Sequence, residues 1–127
     1  MKINHIALYA NDLEREKNFY IKYFGAVSNE KYHNKTTGLQ TYFLSFEGGA
    51  CLEIMFKPNV DWFNGGLNQA GYTHLAFSVG KREIVDDLTK RLAADGYEII
   101  SGPRLTGDGY YESCVLDPER NQIEIVE

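Results

Sequence analysis

The sequence has few cysteines, no run of basic residues and no long apolar segment. Its two cysteines, Cys51 and Cys114, are too few for a disulfide-stabilised scaffold and lack the spacing of a cysteine metal site. The longest apolar runs are far too short to cross a bilayer, and the amino terminus lacks the apolar region of a signal peptide. The 18 acidic residues outnumber the 13 basic ones, which disfavours a nucleic-acid partner. We therefore expect a cytoplasmic protein with reduced thiols that binds neither membranes nor nucleic acids.

The chain is short, but it is rich in aromatic side chains. Its 127 residues correspond to one ordinary domain, or to two small halves that share a core. Nine tyrosines, seven phenylalanines and one tryptophan argue against disorder, because so much ring surface requires a core.

A repeat divides the sequence into two similar modules. The segment His5-Ile6-Ala7-Leu8 is followed, about 70 residues later, by His74-Leu75-Ala76-Phe77. Leu52-Glu53-Ile54 recurs in the same way as Ile123-Glu124-Ile125. Two matched segments at nearly one offset indicate duplication within a single domain over 1–127. The predicted parts are a first module at about 1–60, a linker at about 58–71 and a second module at about 72–127.

Each module is predicted to contain a strand, a helix and then three strands. In the first module the predicted strands lie near 2–9, 26–33, 39–46 and 50–57, with a helix that Asn11 or Asp12 caps and Gly25 ends. In the second they lie near 73–79, 97–101, 110–116 and 122–126, with a helix at 82–95. The predicted buried faces of the two helices are Leu13, Tyr20 and Phe24, widened by Phe19 and Tyr23, and Ile84, Leu88 and Leu92.

Alternation along the strands places four polar residues on one side of the predicted sheets. His5, Glu53, His74 and Glu124 share their faces with smaller neighbours, whereas aliphatic residues fill the opposite faces. Two imidazoles and two carboxylates suit a borderline divalent cation and leave two octahedral positions for water or a chelating substrate. The alternative is a pair of hydrogen-bonded sheet histidines with solvent-facing glutamates.

The whole chain resembles the vicinal oxygen chelate superfamily, which includes glyoxalase I, bleomycin- and fosfomycin-resistance proteins, methylmalonyl-CoA epimerase and extradiol dioxygenases. The resemblance rests on His5-Ile6-Ala7-Leu8, Phe19-Tyr20 with Phe24-Gly25, Gly71-Tyr72-Thr73-His74-Leu75-Ala76-Phe77 and Asp117-Pro118-Glu119-Arg120-Asn121-Gln122-Ile123-Glu124. Arg120 replaces the usual glycine, and we expect Asn121 to relax that turn. The resemblance implies an α+β fold of two tandem βαβββ modules, whose eight-stranded mixed sheet forms a cleft.

The resemblance also implies a metal site and an activity. His5, Glu53, His74 and Glu124 fall on the metal positions of the glyoxalase I branch, so one divalent ion per site (nickel, cobalt, zinc, manganese or iron) is expected. The implied activity is that of a lactoylglutathione lyase type of lyase or isomerase, which abstracts a proton beside a carbonyl and forms a metal-stabilised enediolate. Glu124 is the first candidate for the base and Glu53 the second. The alternative is a small-molecule binding or antibiotic-resistance protein of the same fold.

Substrate contacts and assembly are further expectations. Residues 102–111 suggest a mobile loop over the cleft, in which Arg104 holds an anion and Tyr110 walls a pocket, although a solvated hairpin loop fits equally well. The resemblance implies a homodimer of about 29 kDa, twice the chain mass, that acts on a small molecule without a protein partner of another kind. Modules exchanged between the two chains and modules kept within one chain both fit the sequence.

Overall fold

The computed structural model describes residues 1–60 and 71–127, which divide into two compact units. The first unit contains β1 (His5–Tyr9), α1 (Leu13–Phe24), β2 (Val27–Ser28), β3 (Tyr32–His33), β4 (Gln40–Ser45) and β5 (Cys51–Phe56). The second unit contains β6 (His74–Ser78), α2 (Arg82–Ala94), β7 (Ile99–Leu105), β8 (Tyr111–Leu116) and β9 (Gln122–Val126). Most of the predicted linker lies outside the described residues. Neither described helix is long and apolar enough to span a membrane.

Each unit is built on one mixed sheet. The strand order is β1-β5-β4-β2 in the first unit, where β3 also pairs with β4, and β6-β9-β8-β7 in the second. In both units the first strand runs parallel to the last, and the remaining neighbours are antiparallel. The predicted α+β class is confirmed, with sheets of five and four strands in the described residues.

The strand predicted at 26–33 is in fact two short strands. Val27 pairs with Ser45 on β4, whereas Tyr32 pairs with Thr41, so the register shifts by one residue between them. At the break, the backbone N–H of Phe43 donates to the side-chain oxygen of Asn29 at 2.7 Å. The inserted residue interrupts the ladder as a β-bulge does, and this explains the extra strand.

Helix α1 begins and ends where its caps predict. The Asp12 carboxylate accepts a hydrogen bond from the backbone N–H of Arg15 at 3.0 Å, and Gly25 has a left-handed φ of 65°. The buried face contains Leu13, Glu16, Phe19, Tyr20 and Tyr23. The apolar pattern therefore predicted this face well, except that Phe24 is only half-buried and the carboxyl group of Glu16 is also inside.

The predicted buried face of α2 is confirmed for Leu92, whereas Leu88 is only half-buried and Ile84 is on the surface. Val85, Thr89 and Leu92 are buried, whereas Ile84 is 43% exposed. Thr89 can occupy a buried position because its hydroxyl donates to the Val85 carbonyl oxygen at 2.6 Å. The Ser113 hydroxyl, also 2.6 Å away, completes the pair by donating to Thr89. A satisfied threonine thus replaces the leucine or isoleucine that the apolar pattern favoured.

Strand β7 extends through part of the segment predicted as a loop. It reaches Leu105, so that Arg104 lies on a strand and pairs with Glu112 of β8; the predicted mobile loop is wrong for this residue. The register of the β7–β8 ladder shifts on both sides of Ser101. Gly102 permits the close approach there, since it has a φ of 80° and a Cβ would stand 2.5 Å from the backbone oxygen of Glu112.

Candidate metal centre

The first unit brings one histidine and one glutamate together. On the parallel strands β1 and β5, Ala7 is the direct partner of Glu53. His5 lies two residues before Ala7 on the same strand, so its side chain and that of Glu53 point to the same face of the sheet. Nε2 of His5 lies 3.7 Å from Oε2 of Glu53. The glutamate side chain is 15% exposed, so its carboxylate is partly withdrawn from water. The ring of Phe43 meets the imidazole edge-on, with 5.4 Å between the ring centroids.

The second unit repeats this arrangement in the same register. On β6 and β9, Ala76 is the direct partner of Glu124, so His74 and Glu124 again share a face with the same offset. Here Nε2 of His74 lies 3.1 Å from Oε2 of Glu124. Within each unit, the described residues assemble this pair and no larger group of ligating side chains.

The residue before each histidine contacts the other ring nitrogen. Nδ1 of His5 is 2.8 Å from the side-chain oxygen of Asn4, and Nδ1 of His74 is 3.1 Å from the hydroxyl of Thr73. An imidazole that donates from Nδ1 presents a lone pair at Nε2 when it is neutral. A histidine that binds a metal through Nε2 has this tautomer, and an outer hydrogen bond of this kind orients its ring. Sequence reasoning missed the contribution of Asn4 and Thr73.

The spacing within each pair is that of two ligands on one cation. A neutral imidazole with its proton on Nδ1 directs a lone pair at the carboxylate, and a positive charge between the two groups removes the repulsion. Two ligands about 2.1 Å from one ion, at about 90–120° to each other, stand about 3.0–3.6 Å apart. The separation of 3.1 Å in the second unit falls in that interval, and 3.7 Å in the first lies close to it.

Two groups in and beside the second pair, Glu124 and Cys114, have raised pKa values. Burial raises the pKa of Glu124, and the nearby carboxylates of Glu112 and Asp108 add to this, whereas His74 and Arg104 oppose it. Burial raises the pKa of the Cys114 thiol to about 11, helped by Glu124 and Glu112. Cys114 is therefore protonated at neutral pH and is a poor nucleophile.

The two predicted substrate contacts, Arg104 and Tyr110, lie in different kinds of local structure. Arg104 lies on β7 opposite Glu112 of β8, and its Nη2 is 3.8 Å from Oε1 of Glu112. Tyr110 follows the turn after β7, with its residue 57% exposed. Sequence reasoning missed Glu112. The sequence predicts that Glu112 and Cys114 share one face of β8. Only the pairing of Cys114 with Glu124 shows that this is the face of the histidine–glutamate pair.

Comparisons with known proteins agree with the fold. The profile of the Glyoxalase/Bleomycin resistance protein/Dioxygenase superfamily matches residues 2–125. The uncharacterized protein YqjT of Bacillus subtilis (strain 168) is 28% identical over 131 residues, which cover 98% of this chain and 97% of YqjT. A glyoxalase family protein from Enterococcus faecalis has a TM-score of 0.79 at 25% identity and covers 99% of this chain and 97% of its own. Leishmania major glyoxalase I shares the fold, with a TM-score of 0.80 at 20% identity over 100% of this chain and 86% of its own.

Proposed function

Because this chain belongs to the Glyoxalase/Bleomycin resistance protein/Dioxygenase superfamily, we propose that it is a metal-dependent lyase or isomerase of the glyoxalase type. The repeated histidine–glutamate pair, with Nε2 directed at the carboxylate in both units, carries this proposal. A pair supplies only two ligands, fewer than the three that catalytic sites commonly take from the protein. We therefore propose that His5, Glu53, His74 and Glu124 together hold one divalent ion, which is nickel, cobalt, zinc, manganese or iron.

The proposed reaction moves a proton from a hydroxyl-bearing carbon to the carbonyl carbon beside it, while the hydroxyl proton passes to the other oxygen. When bound, the cation polarises a carbonyl oxygen and stabilises the negative charge that develops there. Glu124 is the proposed base, which takes the proton from one carbon and delivers it to the next, and Glu53 is the alternative base. Glu53 lies on β5 and Glu124 on β9, and each strand is paired on both sides within its sheet. This pairing fixes the backbone positions of both carboxylates. The proposed substrate is a small molecule with two neighbouring oxygens.

Metal content is the first test. The wild-type protein and Glu53→Ala are reconstituted separately with nickel, zinc and manganese, and the metal in each is counted by mass spectrometry. We expect one ion per chain in the wild type and an affinity at least about 10-fold lower in the variant, because a direct ligand is lost. Glu98→Ala is the matched control, since the side chain of this exposed glutamate contacts Arg120 and lies outside both histidine–glutamate pairs.

The other outcomes of that test assign the protein differently. If Glu53→Ala retains the metal, the site has three protein ligands and Glu53 is not among them. If the wild type takes up none of the three metals, the enzyme proposal fails, and a small-molecule binding or resistance protein of the same fold becomes the better explanation.

Proton transfer is the second test. Hemithioacetals and acyl thioesters are incubated with the loaded protein in deuterium oxide, and exchange at the carbon beside the carbonyl is followed by NMR. We expect Glu124→Gln to slow exchange by at least about 100-fold, because general acid–base catalysis contributes that much. Metal content is measured in the same samples, so that loss of the ion is separated from loss of the base. If only Glu53→Gln abolishes exchange, Glu53 is the base.

A further inference from the structure

A charged row of residues lies next to Glu124 on the same face of the second sheet. The pairing Ser78–Val126–Glu112–Arg104 runs across β6, β9, β8 and β7. Val126 follows Glu124 by two residues, so this row is about 7 Å from Glu124 along the strands. Arg104 stands at its outer end with a side chain that is 52% exposed, whereas the Glu112 side chain is only 15% exposed.

The first unit shows that the fold does not require this charge. The equivalent row there, two residues beyond Glu53, is Tyr9–Met55–Thr41–Tyr32. Thr41 thus takes the place of Glu112, and Tyr32 takes the place of Arg104. Two units with one topology and one histidine–glutamate register therefore differ in this row. A role specific to the second unit explains the charges better than the stability of the sheet does.

The contact between Arg104 and Glu112 is an ion pair without a hydrogen bond. The nitrogen–oxygen distance of 3.8 Å exceeds hydrogen-bond length, so the guanidinium keeps its donors available to another acceptor. A carboxylate or phosphate that binds in bidentate fashion would make shorter and stronger contacts. Glu112 would compete with such a group, because it places a negative charge beside the same guanidinium. The exposed carboxylate of Asp108 also acts on Arg104, but solvent screens it.

We propose that Arg104 recognises a remote anionic group of the substrate and that Glu112 is its counter-ion in the free protein. The inference rests on the proposed function and deepens it. It makes the substrate a carbonyl compound with two neighbouring oxygens at one end and a carboxylate or phosphate at the other. Glu112 is then a specificity-determining residue, because it weakens the binding of every anion and leaves neutral groups unaffected.

Two probes that differ only in the remote charge test this proposal. These are 2-oxoglutarate and 2-oxopentanoate, which carry the same neighbouring oxygens, whereas only the first has a second carboxylate. Their dissociation constants are measured by calorimetry on the zinc-loaded wild type, Arg104→Gln, Arg104→Lys and Glu112→Gln. Arg120→Gln and Glu98→Gln make the same changes of charge in an exposed pair on another surface and serve as controls.

We expect the wild type to bind 2-oxoglutarate more tightly than 2-oxopentanoate. Arg104→Gln should weaken 2-oxoglutarate about 10-fold and leave 2-oxopentanoate within about twofold, and Arg104→Lys should restore part of the loss. Glu112→Gln should tighten 2-oxoglutarate about 3- to 10-fold, because a competing charge is removed. Equal binding of the two probes by the wild type, or equal effects of the variants on both, would overturn the proposal.

A measurement without metal separates this inference from the proposed function. Glutarate, which lacks the oxo group, is added to metal-free protein, and the Nε–Hε resonance of Arg104 is followed by NMR. If the protein binds no metal but this resonance shifts, and shifts at lower glutarate concentration in Glu112→Gln, the anion site stands and the enzyme proposal fails. If the metal binds but calorimetry shows no preference for the second carboxylate, the anion site fails and the metal site stands.

Discussion

At the scale of single residues, the turn before β9 shows how one unusual side chain is accommodated. The buried carboxylate of Asp117 accepts hydrogen bonds from the backbone N–H groups of Glu119 and Asn121 and from the side-chain amide of Asn121. Arg120, between them, has a φ of 69°. The expectation that Asn121 would relax this turn is wrong in its detail: Asn121 braces the turn, and Arg120 itself takes the left-handed conformation that glycine prefers.

We predict that Arg120→Gly stabilises the protein by about 0.5 kcal/mol. A non-glycine residue in this conformation costs about 1–2 kcal/mol, which exceeds what glycine loses through its larger unfolded-state entropy. The variant also loses the 3.2 Å contact with Glu98, but both side chains are more than half exposed, so this costs little. Urea denaturation measures the change, and Glu98→Gln removes the ion pair alone. A variant less stable than the wild type would contradict the prediction.

At the scale of elements, a group of charges joins α1 to the first sheet. The Glu14 carboxylate lies 2.6 Å from Nζ of Lys17 and 2.6 Å from Nζ of Lys31, and it accepts a hydrogen bond from the Tyr42 hydroxyl at 2.8 Å. The ammonium of Lys17 also lies 4.3 Å from the centre of the Tyr42 ring. These contacts connect the helix, β4 and the segment before β3. The lysine and tyrosine hydrogen bonds lower the pKa of Glu14 from 4.5 to about 2.

We predict that Glu14→Gln lowers the free energy of unfolding by about 1 kcal/mol at neutral pH. The expected loss is small because the glutamate side chain is 48% exposed, and solvent weakens its ion pairs. The folded-state pKa is depressed, so the stabilisation is complete above about 4.5 and is lost as the pH falls toward about 2. The stability difference between wild type and variant should therefore narrow over this range in urea denaturation. Glu83→Gln, in the first turn of α2, controls for the helix dipole. A difference that is constant with pH would argue against the role of these contacts.

At the scale of the whole chain, the duplication made most of the fold predictable. Matching segments around His5 and His74, and around Glu53 and Glu124, indicated two equivalent modules and gave the faces of the four strands that carry these residues. Local features set by non-local contacts escaped the sequence. The burial of Thr89 depends on Ser113, which is distant in sequence, and the extension of β7 depends on the fit of Gly102 against β8.

The candidate site was predictable to a similar depth. Period-two alternation placed each histidine and glutamate on one face, because side-chain direction along a strand is a local property. Glu112 could not be assigned in this way, since its relation to Glu124 depends on the register between β8 and β9. The contacts of Asn4 and Thr73 with the imidazoles depend on rotamers, which the residue pattern does not encode.

The same pairs lead to a prediction about the assembly of the chain. Each unit offers two ligands, and most soluble oligomers are symmetric assemblies of identical chains, with twofold dimers the commonest. We predict a homodimer of about 29 kDa, twice the chain mass, when light scattering is combined with gel filtration. If metal binding and association are linked, removal of the ion with a chelator should lower the dimer fraction in dilute samples, and Glu53→Ala should do so without a chelator, whereas Glu98→Ala should not. A monomer that binds one metal ion as tightly as the dimer does would show that a single chain forms the complete metal site.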